Sequence, residues 1–479
     1  MYSHSDNTSQ HIQQQLLALC QTQCGTSQID ISLLPGAGSQ RRYFRLTPQG
    51  QPSMIGTYGA NVAENAAFLY LSRHFKALNL CVPDIYAVSA CGQFYLQQDF
   101  GSIALLDILV NPERYQGYNS VALTHLALEQ LAQVQQKGAF GLDSQRLFPI
   151  ARVDSTALMW DFNYFKYSFL RIAVPELDEP ALEADFQTLT RLLLERTLWG
   201  FQYRDFQSRN IMLPDAQTLA FIDYQGGRIG PLLYDAASFL YQARAGFTPE
   251  QRQQLLVHYL DCLELTPPIT RQMLEQQFPL VAAFRIMQTL GAYGFRGYVQ
   301  RKPHFLLSIP AAIQNLNLLA QNGTLDCTPY ISELVQRLSE SSLVSSYADD
   351  FEGLTLHVLS ISLKKGYPEL DAQNGGGFVF DCRFLPNPGR LEAFRSKTGL
   401  DKDVKTYLEQ CAEVEEFMTT VLQIIGAAVA NYKERKFKHL AVTFGCTGGQ
   451  HRSVYCANRL AQHFANVDGV RIDLKHREL

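Results

Sequence analysis

Three polar residues near the middle of the chain have the types and spacing that phosphoryl transfer to a hydroxyl demands. Asp205 is followed five positions on by Asn210, and Asp223 comes after the short apolar run Leu219-Ala220-Phe221-Ile222. In such chemistry one carboxylate orients the hydroxyl and takes its proton, while an Asn and a second Asp hold a metal on the nucleotide phosphates. A carboxylate at the end of an apolar strand is costly unless it meets a metal or a donor. Asp205 is therefore the candidate general base, and Asn210 and Asp223 are the candidate metal ligands. Asp235, in Leu233-Tyr234-Asp235, falls at a helix start and reads as a cap or as a brace for the Asp205 loop.

A second cluster lies near the end of the chain. Gly445-Cys446-Thr447-Gly448-Gly449-Gln450-His451-Arg452 sits between a predicted strand, His439 to Phe444, and a predicted helix, Ser453 to Phe464. A Gly-rich loop entering a helix points several backbone N–H groups at one spot, and His451 and Arg452 add donors. This is the pattern of a phosphate or carboxylate site. The spacing Cys446-x5-Arg452 also satisfies a phosphatase signature in which a thiolate attacks a phosphoester. The usual preceding His is missing from it.

The elements that must carry these loops follow from pattern. The 479 residues are too many for one ordinary core. Hydrophobic residues at 46% and charged residues at 18% fit a globular chain, and a net charge of −4 gives no global pull toward nucleic acid or an anionic membrane. Met1 to Gln15 contain no apolar run, so no secretory signal is expected, and Val421 to Val429 is too short to span a bilayer. Ten scattered cysteines without a C-x-x-C pair point to reduced thiols and a cytoplasmic setting. Strand-like runs at Tyr43 to Leu46, Ser53 to Gly56 and Gln93 to Leu96 flank a helix near Ala63 to Leu78. After Gly101 the pattern is mainly helical, including a helix from Ala181 to Leu198 that leads into the Asp205 loop. A Ser-rich stretch over 336–351 reads as a linker. Beyond it, strands at Leu354 to Ile361, Gly377 to Phe380 and His439 to Phe444 alternate with helices at Val414 to Tyr432 and Ser453 to Phe464, the pattern of a parallel or mixed α/β sheet.

Residues 10–335 resemble the aminoglycoside-phosphotransferase and choline-kinase superfamily. The resemblance rests on Gln40 to Leu46, Glu64-Asn65 with Phe68, Gln98-Asp99-Phe100-Gly101, Tyr203 to Met212, and Ile222 to Gln225 followed by Gly230-Pro231 and Tyr234-Asp235. Tyr203 to Asn210 follows the H-R-D-x-x-x-x-N loop of kinases with Tyr in the place of His. Within the superfamily the likeness is greatest to anomeric N-acetylmuramate and N-acetylglucosamine kinases. It implies a bilobal protein-kinase-like fold, with a small lobe at about 10–98 and a helical lobe at about 101–335. It also implies ATP and Mg2+ as cofactors and an amino-sugar acceptor. Gly38 and Ser39 would cover the phosphates from a flexible turn, and Gln98 and Asp99 would lie at the lobe junction beside adenine. The Lys that many members place on the phosphates is absent from Ser53-Met54-Ile55-Gly56, so Arg42 or Arg45 is expected to supply its charge.

Residues 352–479 resemble the C-terminal half of the RNase adapter protein RapZ. The matching residues are Phe380 to Pro388, Thr398 to Asp401, Val414 to Phe417, Gly445 to Val454 and His476-Arg477. The resemblance implies a sheet domain that binds a phosphorylated amino sugar, with Asp381, Arg383, Cys446, Thr447, Gly448, His451 and Arg452 lining the site. It also raises RNA as a partner. RNA binding needs basic surface, and here 17 Lys and Arg meet 15 Asp and Glu, so only local patches such as Lys433 to Lys438 and Lys475 to Arg477 qualify. The overall expectation is an α/β and α+β chain: a bilobal kinase followed by a separate α/β sheet domain with a strand–Gly loop–helix anion site.

Overall fold

The computed structural model describes residues 3–34, 41–174, 176–195, 197–300, 302–341, 353–366, 377–435, 437 and 439–479. The chain divides into two compact units, Met1–Ala348 and Asp349–Leu479. The first has a kinase-like bilobal architecture. Its small lobe is a five-stranded antiparallel sheet in the order β1-β2-β3-β5-β4, from β1 (Ile29–Leu33), β2 (Arg42–Pro48), β3 (Met54–Tyr58), β4 (Ile85–Val88) and β5 (Phe94–Gln98).

Side chains alternate across a strand, and here the alternation separates two jobs. Phe44, Leu46, Met54, Phe94 and Leu96 form a satellite core with Ile12, Leu16 and Cys20 of the helix Ser3–Cys24. The opposite face carries Tyr43, Arg45, Thr57, Tyr95 and Gln97 toward the helix Val62–Ala77 and the second lobe. That helix is capped by Asn61, whose side chain accepts from the Glu64 N–H. It joins the two lobes: Phe68 stacks on Tyr224 at 5.0 Å, Phe75 meets Phe201 edge-on at 4.9 Å, and Ser72 shares a 2.7 Å hydrogen bond with the Tyr224 hydroxyl.

The helical lobe holds the main core and two short antiparallel ribbons. β6 (Trp199–Gln202) pairs with β9 (Arg228–Pro231), and β7 (Ile211–Met212) pairs with β8 (Ala220–Phe221). The helix expected over Ala181 to Leu198 runs instead over Glu179–Leu194, and β6 intervenes before the Asp205 loop. The substitution of strand for helix has a clear cause, because Trp199 to Gln202 must pair with Arg228 to Pro231 to hold the loop's base. Two single π-turns, Lys166–Leu170 and Phe295–Val299, extend the helices Ser155–Phe165 and Arg271–Gly294. Such turns often mark functional sites. Gly294 packs directly on the Ser168 carbonyl, and Gly291 on the Phe165 backbone.

The second unit is a four-stranded, all-parallel sheet in the order β11-β12-β10-β13, from β10 (Leu354–Ser362), β11 (Gly377–Asp381), β12 (His439–Cys446) and β13 (Val470–His476). The helices Ala412–Glu434 and Arg452–Phe464 bury Val414, Met418, Val421, Ile425, Leu460 and Phe464 in its core. The strand β13 was not anticipated. The linker expected over 336–351 lies mostly outside the described residues, and its first part, 336–339, ends the helix Pro329–Ser339. All ten cysteines are free thiols. Among the described residues no helix is long and apolar enough to cross a membrane.

The close approach at Gly294 gives a stability prediction. A methyl there would overlap the Ser168 carbonyl oxygen. Gly294→Ala is expected to destabilise the fold by about 1–3 kcal/mol, as overpacking usually does. A lowered denaturant midpoint would bear this out, and an unchanged one would refute the contact.

Candidate active site

The Asp205 loop is held from beneath by one buried carboxylate. Asp235 is fully buried and accepts from the Tyr203 N–H at 2.7 Å, the Arg204 N–H at 2.8 Å and the Gln135 side-chain amide at 2.9 Å. The brace is thus the role Asp235 fulfils. It fixes Arg204 at φ 78°, a left-handed conformation that costs a non-glycine residue energy unless its surroundings enforce it. The Arg204 guanidinium is clamped by both oxygens of Asp161, at 3.0 and 3.2 Å, and lies 4.8 Å over the Tyr234 ring. Tyr203, in the place of the kinase His, is buried and donates its hydroxyl to the Ile222 carbonyl at 2.5 Å. That bond ties the loop to the segment just before Asp223.

The loop then delivers Asp205 with its side chain exposed, while Asn210 is buried. The Asn210 amide nitrogen donates to the Asp205 carbonyl at 2.8 Å and to Asp223 Oδ2 at 3.3 Å, so its Oδ1 is left as a lone-pair donor. Asp223, at φ 71°, also accepts from Gln225 at 2.8 Å through Oδ1. Asn210 and Asp223 therefore offer neighbouring oxygens, the donor type a hard cation such as Mg2+ takes. Among the described residues no group of three His, Cys, Asp or Glu can hold a metal unaided. The pair would suit a hard cation such as Mg2+ that takes further ligands from outside the protein.

The small-lobe cations fall differently from expectation. Gly38 and Ser39 lie outside the described residues. Arg45 is a clasp: its guanidinium binds both oxygens of Asp99, at 2.6 and 3.0 Å, and the Gly101 carbonyl at 2.8 Å. Asp99 also accepts from Ser53 and from the Gly101 N–H, at 2.8 and 2.9 Å. Burial pushes the Asp99 carboxyl up, and Arg45, Ser53 and Gly101 more than offset it, leaving it below the usual range. Arg45 and Asp99 thus neutralise each other. The Gln98 side chain accepts from the Asp84 N–H at 3.3 Å. Arg42 pairs across the sheet with Tyr58, on the same strand face as Phe44 and Leu46, which pack on the N-terminal helix rather than the cleft.

The cation on the cleft side is Arg41. It is buried, pairs with Glu64 of the helix Val62–Ala77 at 3.5 Å and lies 5.9 Å over the Phe68 ring. Tyr43 and Tyr95 interact electrostatically with both Arg41 and Asp223. A basic residue paired with an acidic one on this helix is the arrangement kinases use on nucleotide phosphates. Arg41 escapes a reading of the sequence because the family's cation is a Lys on β3, whereas this one is an Arg just before β2.

In the second unit, register brings the ends of three strands together. Asp381 pairs with Gly445, and Ser362 with Cys446. Ligand sites in parallel sheets form at this carboxyl edge. The expected residues split into two layers. Asp381, Arg383, Thr447 and Gly448 are exposed; Cys446, His451 and Arg452 are buried. Asp381 and Arg383 form a fork, with Arg383 Nη2 to Asp381 Oδ2 at 2.6 Å. Arg452 Nη1 donates to the carbonyls of Arg383 and Leu385 at 2.7 and 2.9 Å, and His451 Nε2 lies 2.8 Å from the Phe394 carbonyl. Burial pushes the Cys446 thiol up. Hydrogen bonds with Ser453 at 3.1 Å and the Gly449 N–H at 3.2 Å outweigh it, so the thiol lies below its usual value. At 3% exposure Cys446 is too enclosed for attack on a phosphoester, and Arg452 is engaged with carbonyls. The basic patches are partly spent: Lys433 bonds the Asp468 carbonyl, Arg435 lies over Phe437, and Lys475 pairs with Asp473.

Residues 30–271, half of the chain, match the model of the phosphotransferase enzyme family. The chain belongs to that family. The phosphotransferase also carries, over residues 354–479, a match to the RapZ C-terminal domain. It is 41% identical over 124 residues to a nucleotide-binding protein of Fervidobacterium nodosum, covering 26% of this chain and 42% of that protein. It is 34% identical over 155 residues to one of Thermotoga neapolitana, covering 32% and 52%. The phosphotransferase thus spans about half the length of these curated relatives. Among solved structures it is similar to choline kinase LicA from Streptococcus pneumoniae, at 14% identity and a TM-score of 0.45, over 64% of this chain and 99% of that one. It is also similar to a Plasmodium vivax ethanolamine kinase, at 13% and 0.45, over 64% and 84%.

The Asp235 brace predicts a pH signature. Burial raises its carboxyl to about 6, against the opposing hydrogen bonds of Tyr203, Gln135 and Arg204. The folded protein then holds this proton more tightly than the unfolded chain. This group's contribution to stability falls as pH rises from about 4, the unfolded value, to about 6, and is level above that. Asp235→Asn is expected to remove that slope and to cost about 1–3 kcal/mol at neutral pH, because an amide cannot accept from all three donors. Melting curves of both proteins across this range test it, and parallel pH profiles would refute it.

Proposed function

We propose that the phosphotransferase unit moves the γ-phosphoryl group of ATP to a hydroxyl of an amino sugar, at the anomeric carbon, and that residues 352–479 bind a phosphorylated amino sugar. The observation that carries the first part is the convergence of three groups. The Asn210 amide touches both the Asp205 carbonyl and the Asp223 carboxylate, so base and cation ligands share one rigid frame. Exposed Asp205 takes the acceptor proton as the acceptor oxygen bonds to phosphorus. The bond to the bridging oxygen breaks, and the electron pair leaves on ADP. Bound magnesium, held by Asn210 and Asp223, would offset charge on the phosphates. Arg41, fixed by Glu64, is placed to add a permanent charge where the family's Lys is missing.

The two departures from the kinase pattern, Tyr203 and the missing Lys, each have a substitute contact that supports an active kinase. Tyr203 retains a tie between the loop and the Asp223 segment, and Arg41 retains the cation paired to the bridging helix. A sugar acceptor is supported by the resemblance to anomeric amino-sugar kinases. It also agrees with Trp160, 55% exposed on the helix that carries Asp161, which offers an apolar face suited to a sugar ring. The sugar-phosphate reading of the second unit rests on the exposed Asp381–Arg383 fork beside the open Thr447-Gly448 turn.

Phosphorus NMR on the full chain with ATP, magnesium and a panel of amino sugars tests the first part. A sugar-1-phosphate signal is expected, slowed about 10²–10⁴-fold in Asp205→Asn. Folded, ATP-binding protein that yields no sugar-dependent product would sink the reading. For the second unit, glucosamine-6-phosphate is expected to raise the melting temperature. Saturation at a hundred times Kd corresponds to about 2.7 kcal/mol. An unmoved transition at millimolar ligand would rule the site out.

A further inference from the structure

Three arginines cluster around Tyr234 and the Asp205 loop, and the fold supplies partners for two of them. Arg204 has both oxygens of Asp161. Arg285 is hydrogen-bonded to Gln288, to Thr289 at 2.7 Å and to Ser238 at 3.0 Å, and lies 5.3 Å over the Tyr234 ring. Arg228 has much less. It is 7% exposed, and its Nε donates to the Gly226 carbonyl at 3.0 Å. Its two Nη groups have no hydrogen-bond partner among the described residues.

A largely buried guanidinium that has carboxylates in range but no hydrogen bond to them is costly, and natural folds keep one only where something compensates it. The placement says what that is. Arg228 opens β9 directly opposite Gln202, three residues before Asp205. The charged groups that act on it most are Arg204, Asp161 and Asp205. Burial and the Arg204 charge push Arg228 down to about 10, still cationic at neutral pH. A cation with both Nη groups unbonded, within electrostatic reach of the candidate base, matches a carboxylate in geometry and charge. A phosphate dianion there would face stronger repulsion from Asp205 and Asp161.

We propose that the Nη groups of Arg228 bind a carboxylate carried by the acceptor, making Arg228 the residue that selects an acidic sugar over its neutral counterpart. The assignment rests on the sugar-kinase reading above. N-acetylmuramate and N-acetylglucosamine make the test clean, because they share the ring, the acetamido group and the anomeric hydroxyl and differ by one lactyl carboxylate.

Steady-state kinetics of the full chain with both sugars is the experiment. The wild type is expected to show the lower KM for the acidic sugar. In Arg228→Gln that preference should fall roughly tenfold to a hundredfold, the scale of a lost charge-assisted hydrogen-bond pair, with Arg228→Lys recovering part of it. Circular dichroism melting checks that each variant is folded. If the Gln variant is not, the wild-type preference and the Lys variant decide. A wild type with no preference for the acid overturns the assignment, as does a variant that lowers kcat alike for both sugars, which would place Arg228 on the transferred phosphoryl group. A wild type inert toward both sugars fails one step earlier: it overturns the sugar-kinase reading and this assignment with it.

Discussion

The candidate active site hangs on one buried carboxylate. Asp235 lies under the Asp205 loop and accepts two consecutive backbone N–H groups, from Tyr203 and Arg204, that the loop's sharp turn leaves without partners. Both would be costly orphans in the core. Satisfying them together is what makes a left-handed Arg204 tolerable, and that conformation turns the chain so that Asp205 emerges at the surface. The brace is itself braced. Gln135 donates to Asp235 and to the Leu232 carbonyl, and Tyr259 donates to Gln135. Residues scattered over more than a hundred positions thereby form one polar network inside an apolar lobe. Such a network is stable only when complete.

Much of this was legible beforehand because catalytic chemistry needs particular groups at particular spacings. Asp205, Asn210 and Asp223 stood out on type and interval alone, and the helix near Ala63 to Leu78 and the parallel-sheet strands showed their period. What escaped notice has physical reasons. The helix Ser3–Cys24 is rich in Ser and Gln, and its inward stripe of Ile12, Leu16 and Cys20 is too thin to dominate the composition. β6 was absorbed into the preceding helix because a four-residue ribbon has no period of its own. Of the two arginines expected on the phosphates, Arg45 is taken up by Asp99 and Arg42 falls on the opposite strand parity. One position decides which face a side chain takes, and Phe44 and Leu46, two and four residues on from Arg42, already marked its face as the one turned from the cleft. The π-turns and the roles of Arg228 and Arg452 depend on contacts distant in sequence, and no local pattern announces them.

The second unit shows how one loop can present a site and conceal its support. Its exposed layer, Asp381, Arg383, Thr447 and Gly448, is what a ligand can touch. The layer beneath is structural. Arg452 holds the 383–385 turn by its carbonyls, and His451 lies within hydrogen-bonding distance of the Phe394 carbonyl. Sequence motifs do not distinguish these layers, because a residue that shapes a site and a residue that fills it can be equally necessary to the pattern.

The Arg41–Glu64 pair also has a practical corollary. The small lobe contains no lysine at all before Lys76, which is occupied with Asp84 at 3.0 Å. Reagents that find nucleotide sites by acylating an amine beside the phosphates meet no lysine on the small-lobe strands, since Arg41 offers a guanidinium, which stays protonated and does not react as an amine does. If the proposed nucleotide binds beside Arg41, a chemical survey built on such probes would pass over this protein even at full occupancy. Silence in that assay would then carry no information about whether nucleotide is bound.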